Sequence, residues 1–302
     1  MPARMLESLF EVKDRVAVIT GGASGIGATS AELFTAMGMK VYIFDFNEQA
    51  GKAREKYINA CGYSGTFQFV KLDVTKPEDC INAVQTTFAV NNNRFDILYN
   101  CAGISKRDVH LQTEADRERL WAVNVDGTVN MCNAAVKAMK ENDFGRIINM
   151  GSAVAMPGIA FPDGLLYKRS KDEIHRFTRE LALLHARDGI TVNALAPARV
   201  ITPMVTGSGQ GWVDKAENPI EAFRGGCATQ ATGLMLKPEE VAFKALSLCS
   251  PLSANITGTI VDMTSAWAIG HSPYSTDEMP AAFDEFRTWA QQRTATNITP
   301  LE

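Results

Sequence analysis

The sequence predicts an α/β fold: one doubly wound, parallel, seven-stranded sheet with helices on both faces. Three observations predict it. Seven short apolar runs alternate with helix-length polar segments along the 302 residues. A glycine cluster follows the first run directly, and an acidic residue, Asp45, closes the second. Apolar runs unbroken by polar alternation mark strands buried on both faces, the pattern of a parallel sheet joined by helical crossovers.

Taken in order, residues 15–20 (RVAVIT) form the first run, short and rich in β-branched residues. A helical pattern over 31–37 follows and is ended by Gly38. The second run, 41–44, stops at Asp45, and a polar helix-like stretch over 48–61 leads to the third run at 67–72. Further runs lie at 96–99, 146–150, 191–196 and 258–261, with long helix-compatible segments at 117–141 and 168–187 between them. No internal repeat, low-complexity segment or linker divides the chain, so residues 1–302 read as a single domain.

Composition excludes several classes. Hydrophobic residues make up 46% and charged residues 21%, ordinary for a globular protein. A net charge of −4 gives no reason to expect nucleic acid or an anionic membrane as partner. No apolar run is long enough to span a bilayer, and the N-terminal stretch lacks a signal core, so a cytoplasmic location is expected. The six cysteines and four histidines show no metal-ligand spacing; no metal is expected, and the cysteines read as reduced packing residues.

The cluster Thr20-Gly21-Gly22-Ala23-Ser24-Gly25-Ile26-Gly27 lies between the first strand and the first helix. A dinucleotide pyrophosphate sits at such a place, on the N–H groups of a helix N-terminus. Asp45 ends the next strand, where a carboxylate accepts hydrogen bonds from the adenosine ribose hydroxyls. The same carboxylate repels the 2′-phosphate of NADP, and neither Phe46 nor Ser24 supplies a compensating cation, so NAD is favoured. Tyr167 and Lys171 stand four residues apart on a predicted helix, hence on one face. A fixed ammonium beside a phenol favours the phenolate and brings it toward use as a base near neutral pH.

Together these motifs resemble a classical member of the short-chain dehydrogenase/reductase family. The glycine cluster matches its T-G-x-x-x-G-x-G, with Gly21, Ser24, Gly25, Ile26 and Gly27 at the cofactor. Asp73-Val74 matches the pair that contacts adenine, and Asn100-Cys101-Ala102-Gly103 resembles N-N-A-G with Cys101 in place of the second asparagine. Asn124, Ser152, Tyr167 and Lys171 match the catalytic set. Pro197-Ala198-Arg199-Val200-Ile201-Thr202 resembles P-G-x-V-x-T, and the match runs over about 12–266. The resemblance implies a single-domain Rossmann fold and an NAD-dependent oxidoreductase that interconverts a secondary alcohol and its ketone. In it Tyr167 is the general acid/base, Lys171 lowers the tyrosine pKa and holds the nicotinamide ribose, Ser152 holds the substrate oxygen, and Asn124 anchors a proton-relay water. Asp45, Phe46, Asp73, Val74, Asn100, Ala102, Gly103, Tyr167, Lys171, Pro197, Val200 and Thr202 complete the expected cofactor site. An NADP-linked reductase, a dehydratase or isomerase, and a cofactor sensor remain alternatives.

The interval from Ser152 to Tyr167 is longer than the family's usual one, which places extra residues in 158–166. Residues 204–237 stand where the family has its mobile substrate segment. In the tail, 267–302, Phe283, Phe286 and Trp289 recur every three residues and call for cover from this subunit or a neighbour. Asp73 has a second reading, as the cap of the following helix, and Arg199 as an anion-binding or ion-paired residue. The family's assembly as dimers or tetramers implies a homo-oligomer, with a small-molecule substrate as the other partner.

Overall fold

The computed structural model describes residues 10–105, 113–159, 165–206 and 230–267. It holds one seven-stranded sheet in the order β3-β2-β1-β4-β5-β6-β7, every neighbouring pair parallel. The strands are β1 Val16–Thr20, β2 Lys40–Asp45, β3 Thr66–Lys71, β4 Ile97–Asn100, β5 Gly145–Met150, β6 Ile190–Pro197 and β7 Ile260–Met263. Each lies within two or three residues of its sequence-predicted bounds. The helices are α1 Gly25–Ala36, α2 Glu48–Ala60, α3 Pro77–Val90, α4 Glu114–Trp121, α5 Gly127–Lys140, α6 Leu165–His185, the single turn α7 Pro203–Thr206, and α8 Pro238–Cys249.

The central strands are apolar throughout because both faces are covered. On one face Ala17, Ile19, Ile43 and Tyr99 pack against Phe34 of α1 and against Val241 and Ala245 of α8. On the other, Val18, Leu98 and Ile147 meet Val84 of α3, Met131 and Ala135 of α5 and Leu181 of α6. Each fully buried Leu, Ile or Phe stabilises the fold by about 1.5–3 kcal/mol. The sheet order reverses direction between β1 and β4, so the carboxyl ends of those strands open a crevice between the helices on either side.

Two elements differ from the sequence expectation. Helix α1 starts at Gly25, six residues before the predicted 31, because two glycines that oppose helix by propensity are nonetheless held in its first turn. The helix expected over 117–141 is instead two helices, α4 and α5, joined by a wide π turn at Ala122–Asp126. Asn124 lies in that turn, and its side chain is drawn out of the helix by bonds to neighbouring elements.

Candidate active site

The crevice at the carboxyl ends of the strands encloses about 590 Å³. All sequence-predicted site residues line it except Asn100 and Asn124. Its floor is set by Thr20, whose hydroxyl accepts from the Cys101 and Ala102 N–H groups, each at 3.1 Å, and so ties β1 to the loop after β4. Gly21 takes φ +65°, and a Cβ there would come within 2.8 Å of the Ala102 backbone. A Cβ on Gly27 would lie 2.3 Å from the Gly21 carbonyl oxygen. Any larger residue at either place would force the neighbouring backbone to shift. Ser24 precedes α1 without a side-chain cap, which leaves first-turn N–H groups for an anion.

Asp45 is held against this loop. Its Oδ2 accepts from Ala23 N at 3.0 Å and its Oδ1 from Asn47 N at 2.9 Å, and exposed Phe46 stands beside it. Asp73 does not cap a helix. Its Oδ1 accepts from Thr75 N and Thr75 Oγ1, closing a local turn, while α3 begins at Pro77 after Lys76. Asn100 turns away from the crevice: its Nδ2 donates to Asn149 Oδ1 at 3.0 Å and to Cys132 Sγ at 3.2 Å. Asn149 in turn donates to Thr178 of α6, so this buried polar chain links β4, β5 and α6.

Helix α6 brings Tyr167 and Lys171 to the crevice wall. The Lys171 ammonium lies 5.7 Å from the centre of the Tyr167 ring and donates to Met150 O at 2.7 Å. Lys171 is 3% exposed, and burial pulls its pKa down to about 8, against a small opposing effect of the Cys101 thiol. Cys101, which stands in the crevice wall, has its own thiol pushed up to about 12 by burial. Ser152 follows β5 in extended conformation at the start of a tight turn, Ala153–Ala155. Asn124 stands behind this group. Its Oδ1 accepts from Ile104 N at 2.8 Å, and its Nδ2 donates to Ile104 O and to Ser170 Oγ. Gly103 lies between them: a Cβ there would come 3.4 Å from Asn124 Oδ1 and 3.7 Å from Lys171 Nζ. The asparagine side chain is thus engaged by protein, stitching the loop after β4 to α6.

Sequence reasoning missed three contributors. Thr20 is legible in the sequence only as part of the glycine cluster. Lys168 donates to Val154 O at 2.7 Å, and His175 accepts from Ser152 N at 3.3 Å through Nε2. Lys168 and His175 follow Tyr167 by one and eight residues on α6, and their helical spacing around Lys171 was the available signal. The crevice lining also includes Arg119, Arg199 and Trp267, with the Arg199 guanidinium 5.9 Å from the Trp267 ring centre. Most of the expected substrate segment, all of the tail beyond Trp267, and residues 160–164 of the longer loop lie outside the described residues.

The family model described as short chain dehydrogenase matches residues 15–211. The chain belongs to this family. It is similar to the short-chain reductase protein NovJ of Streptomyces niveus, 34% identical over 86% of this chain and 96% of that one. It is similar also to the mitochondrial borneol dehydrogenase of Lavandula x intermedia, at 33% over 83% and 89%. Among solved structures, an actinorhodin polyketide ketoreductase variant with NADPH superposes with a TM-score of 0.78 at 26% identity, over 85% of this chain and 98% of that one. The short-chain dehydrogenases are oxidoreductases that work with a nicotinamide cofactor. The crevice fits such a group: Gly21, Gly22 and Gly27 have no room for side chains, the α1 N-terminus is uncapped, and a carboxylate stands at the end of β2.

Proposed function

We propose that this protein is an NAD-dependent dehydrogenase that interconverts a secondary alcohol and its ketone. The observation that carries the reading is the buried Lys171 ammonium, which shares one crevice with Tyr167, Ser152 and the glycine turn. When bound, the nicotinamide supplies the hydride acceptor or donor at its C4. Gly21, Ser24, Gly25, Ile26 and Gly27 would hold the pyrophosphate, Asp45 and Phe46 the adenosine ribose, and Asp73 and Val74 the adenine. Ala102, Gly103, Pro197, Val200 and Thr202 would hold the nicotinamide half. Asn100 acts from behind the wall through its backbone and the buried chain to Asn149.

Within that frame the chain's own groups move one proton. Ser152 donates or accepts a hydrogen bond at the substrate oxygen and fixes its position. Tyr167 takes the hydroxyl proton during oxidation and returns it during reduction. Lys171 favours the phenolate by its charge, which is why a buried ammonium is kept there at a cost. Asn124 holds the loop that carries Gly103 and the helix that carries Lys171 in register.

Asp45 favours NAD, because its carboxylate would meet a 2′-phosphate and neither Phe46 nor Ser24 supplies a cation, while Lys71, its partner across β2 and β3, is engaged by Glu48. The NADPH in the ketoreductase neighbour favours the other reading, an NADP-linked reductase. One pair of measurements separates them. NADH is expected to bind at least about tenfold more tightly than NADPH, a difference of about 1.4 kcal/mol. In the same assay Tyr167→Phe should bind NADH as the parent does and lose turnover on a panel of secondary alcohols. Tighter NADPH binding sinks the cofactor assignment; retained turnover sinks the acid/base assignment. Assembly as a homotetramer is part of the proposal, supported by Leu183 and Leu184 of α6, 84% and 71% exposed, while Ile174 and Leu181 of the same helix are taken up by the core.

A further inference from the structure

We propose that His175 and Lys168 are positioning residues that grip the backbone of the turn after β5 and so aim the Ser152 hydroxyl. The inference rests on the reading of Ser152 as the group that holds the substrate oxygen.

Sheet pairing of β5 with β6 ends at Met150, opposite Leu195. Beyond it, the chain that carries Ser152 has lost the ladder that fixed it. Three side chains of α6 take over in succession. Lys171 Nζ binds Met150 O at 2.7 Å, His175 Nε2 accepts from Ser152 N at 3.3 Å, and Lys168 Nζ binds Val154 O at 2.7 Å. Consecutive parts of the turn are thus held by one rigid helix, the same helix that carries Tyr167. Serine and tyrosine are set relative to each other through it.

The fit is close. A Cβ on Gly151 would stand 2.2 Å from His175 Nε2, so the histidine in this position requires glycine at 151. His175 is 4% exposed. Because Nε2 accepts an N–H, it carries no proton; the neutral ring must hold its proton on Nδ1. Burial, and then the nearby Lys171, Arg179 and Lys168 charges, hold its pKa down at about 4. The packed turn, residues 150–155, contributes no titratable side chain. The grip therefore stays intact throughout the neutral range. A structural histidine would need only bulk here; a positioning one needs an acceptor at Nε2.

The test uses the full chain with NAD and three probe alcohols: cyclohexanol, 1-phenylethanol and 2-octanol. His175→Leu keeps bulk and removes the acceptor, and is expected to lower kcat by about 10- to 100-fold with NADH affinity within about twofold. His175→Gln offers an amide oxygen near Nε2 and should recover kcat to within about threefold of the parent. Lys168→Met, on a partly exposed residue, should cost about 3- to 10-fold by the same route. Nitrogen NMR of the histidine rings, with no substrate present, should show His175 protonated on Nδ1 at pH 7 and unchanged down to about pH 5. Unchanged kcat in His175→Leu, a loss that His175→Gln does not recover, or an Nε2–H ring overturns the inference. If no His175 variant folds, Lys168→Met and the ring tautomer decide it. Turnover retained in Ser152→Ala would instead sink the underlying reading of the serine, and the ring tautomer would be untouched.

Discussion

Lys171 carries a cost that its role explains. An ammonium 3% exposed has given up its water, and in exchange it hydrogen-bonds Met150 O. A pKa held down at about 8 by burial, against 10.5 for a free lysine, corresponds to roughly 3 kcal/mol of stability forgone. Lys171→Met removes that cost and leaves the Met150 carbonyl without its partner, worth about 1–3 kcal/mol. The variant is expected to melt at or above the parent's temperature at pH 7 while losing at least about 100-fold in turnover. Below pH 8 both folded and unfolded parent hold the proton, and the burial penalty is present in full. Between about 8 and 10.5 the folded chain has shed a proton that the unfolded chain still holds, so the parent gains stability as pH rises. The variant's advantage should shrink over that window. A variant clearly less stable than the parent at pH 7, or one whose stability relative to the parent does not fall between about pH 8 and 10.5, would refute this account.

At the scale of elements, the bend between α4 and α5 does what a straight helix cannot. The π turn at Ala122–Asp126 swings Asn124 out to bind Ile104 on both its N–H and its carbonyl and Ser170 on α6. Three elements meet in one buried amide, 1% exposed. Asn124→Ala leaves the Ile104 groups unpaired and is expected to destabilise by about 2–3 kcal/mol. Amide exchange should quicken at 101–105 before it does in β4; uniform exchange across both would contradict the stitch. The bend was not legible in the sequence, because its cause lies in partners 20 and 46 residues away. The strands were legible because continuous apolar runs such as 15–20 and 191–196 suit only positions covered on both faces. Tyr167 and Lys171 were legible because helical spacing is local. His175 and Lys168 carry the same spacing, yet what they hold, the backbone of residues 152–154, comes to them only through the fold. Asn100 was legible as a motif residue but not as one facing away from the crevice, since nothing local sets that direction.

Across the whole molecule, the two ends of the sheet do different work. The carboxyl ends hold the crevice; the amino ends hold a charged clasp. Asp96, 1% exposed, accepts from Val16 N at 2.8 Å, from Arg15 at 3.0 Å and from Arg94 at 2.7 Å. Phe144, just before β5, has the Arg15 guanidinium 3.8 Å and the Arg146 guanidinium 4.2 Å from its ring centre. Arg146, 3% exposed, adds bonds to the carbonyls of Ser250, Gly145 and Gly189. The clasp therefore ties β1, β4 and β5 to the ends of the chains that follow α6 and α8. Asp96→Asn keeps the shape but removes the charge and turns one acceptor into a donor facing other donors. It is expected to cost about 2–3 kcal/mol, the size of a buried charge-assisted hydrogen bond. Because each strand spans the sheet between clasp and crevice as a rigid, doubly covered element, folded Asp96→Asn should bind NADH and turn over substrate within about twofold of the parent. Denaturant unfolding checks the first expectation and steady-state kinetics well below the melting temperature the second. A variant that unfolds like the parent would contradict the first, and one that folds normally but loses turnover tenfold would show that the two ends are not independent.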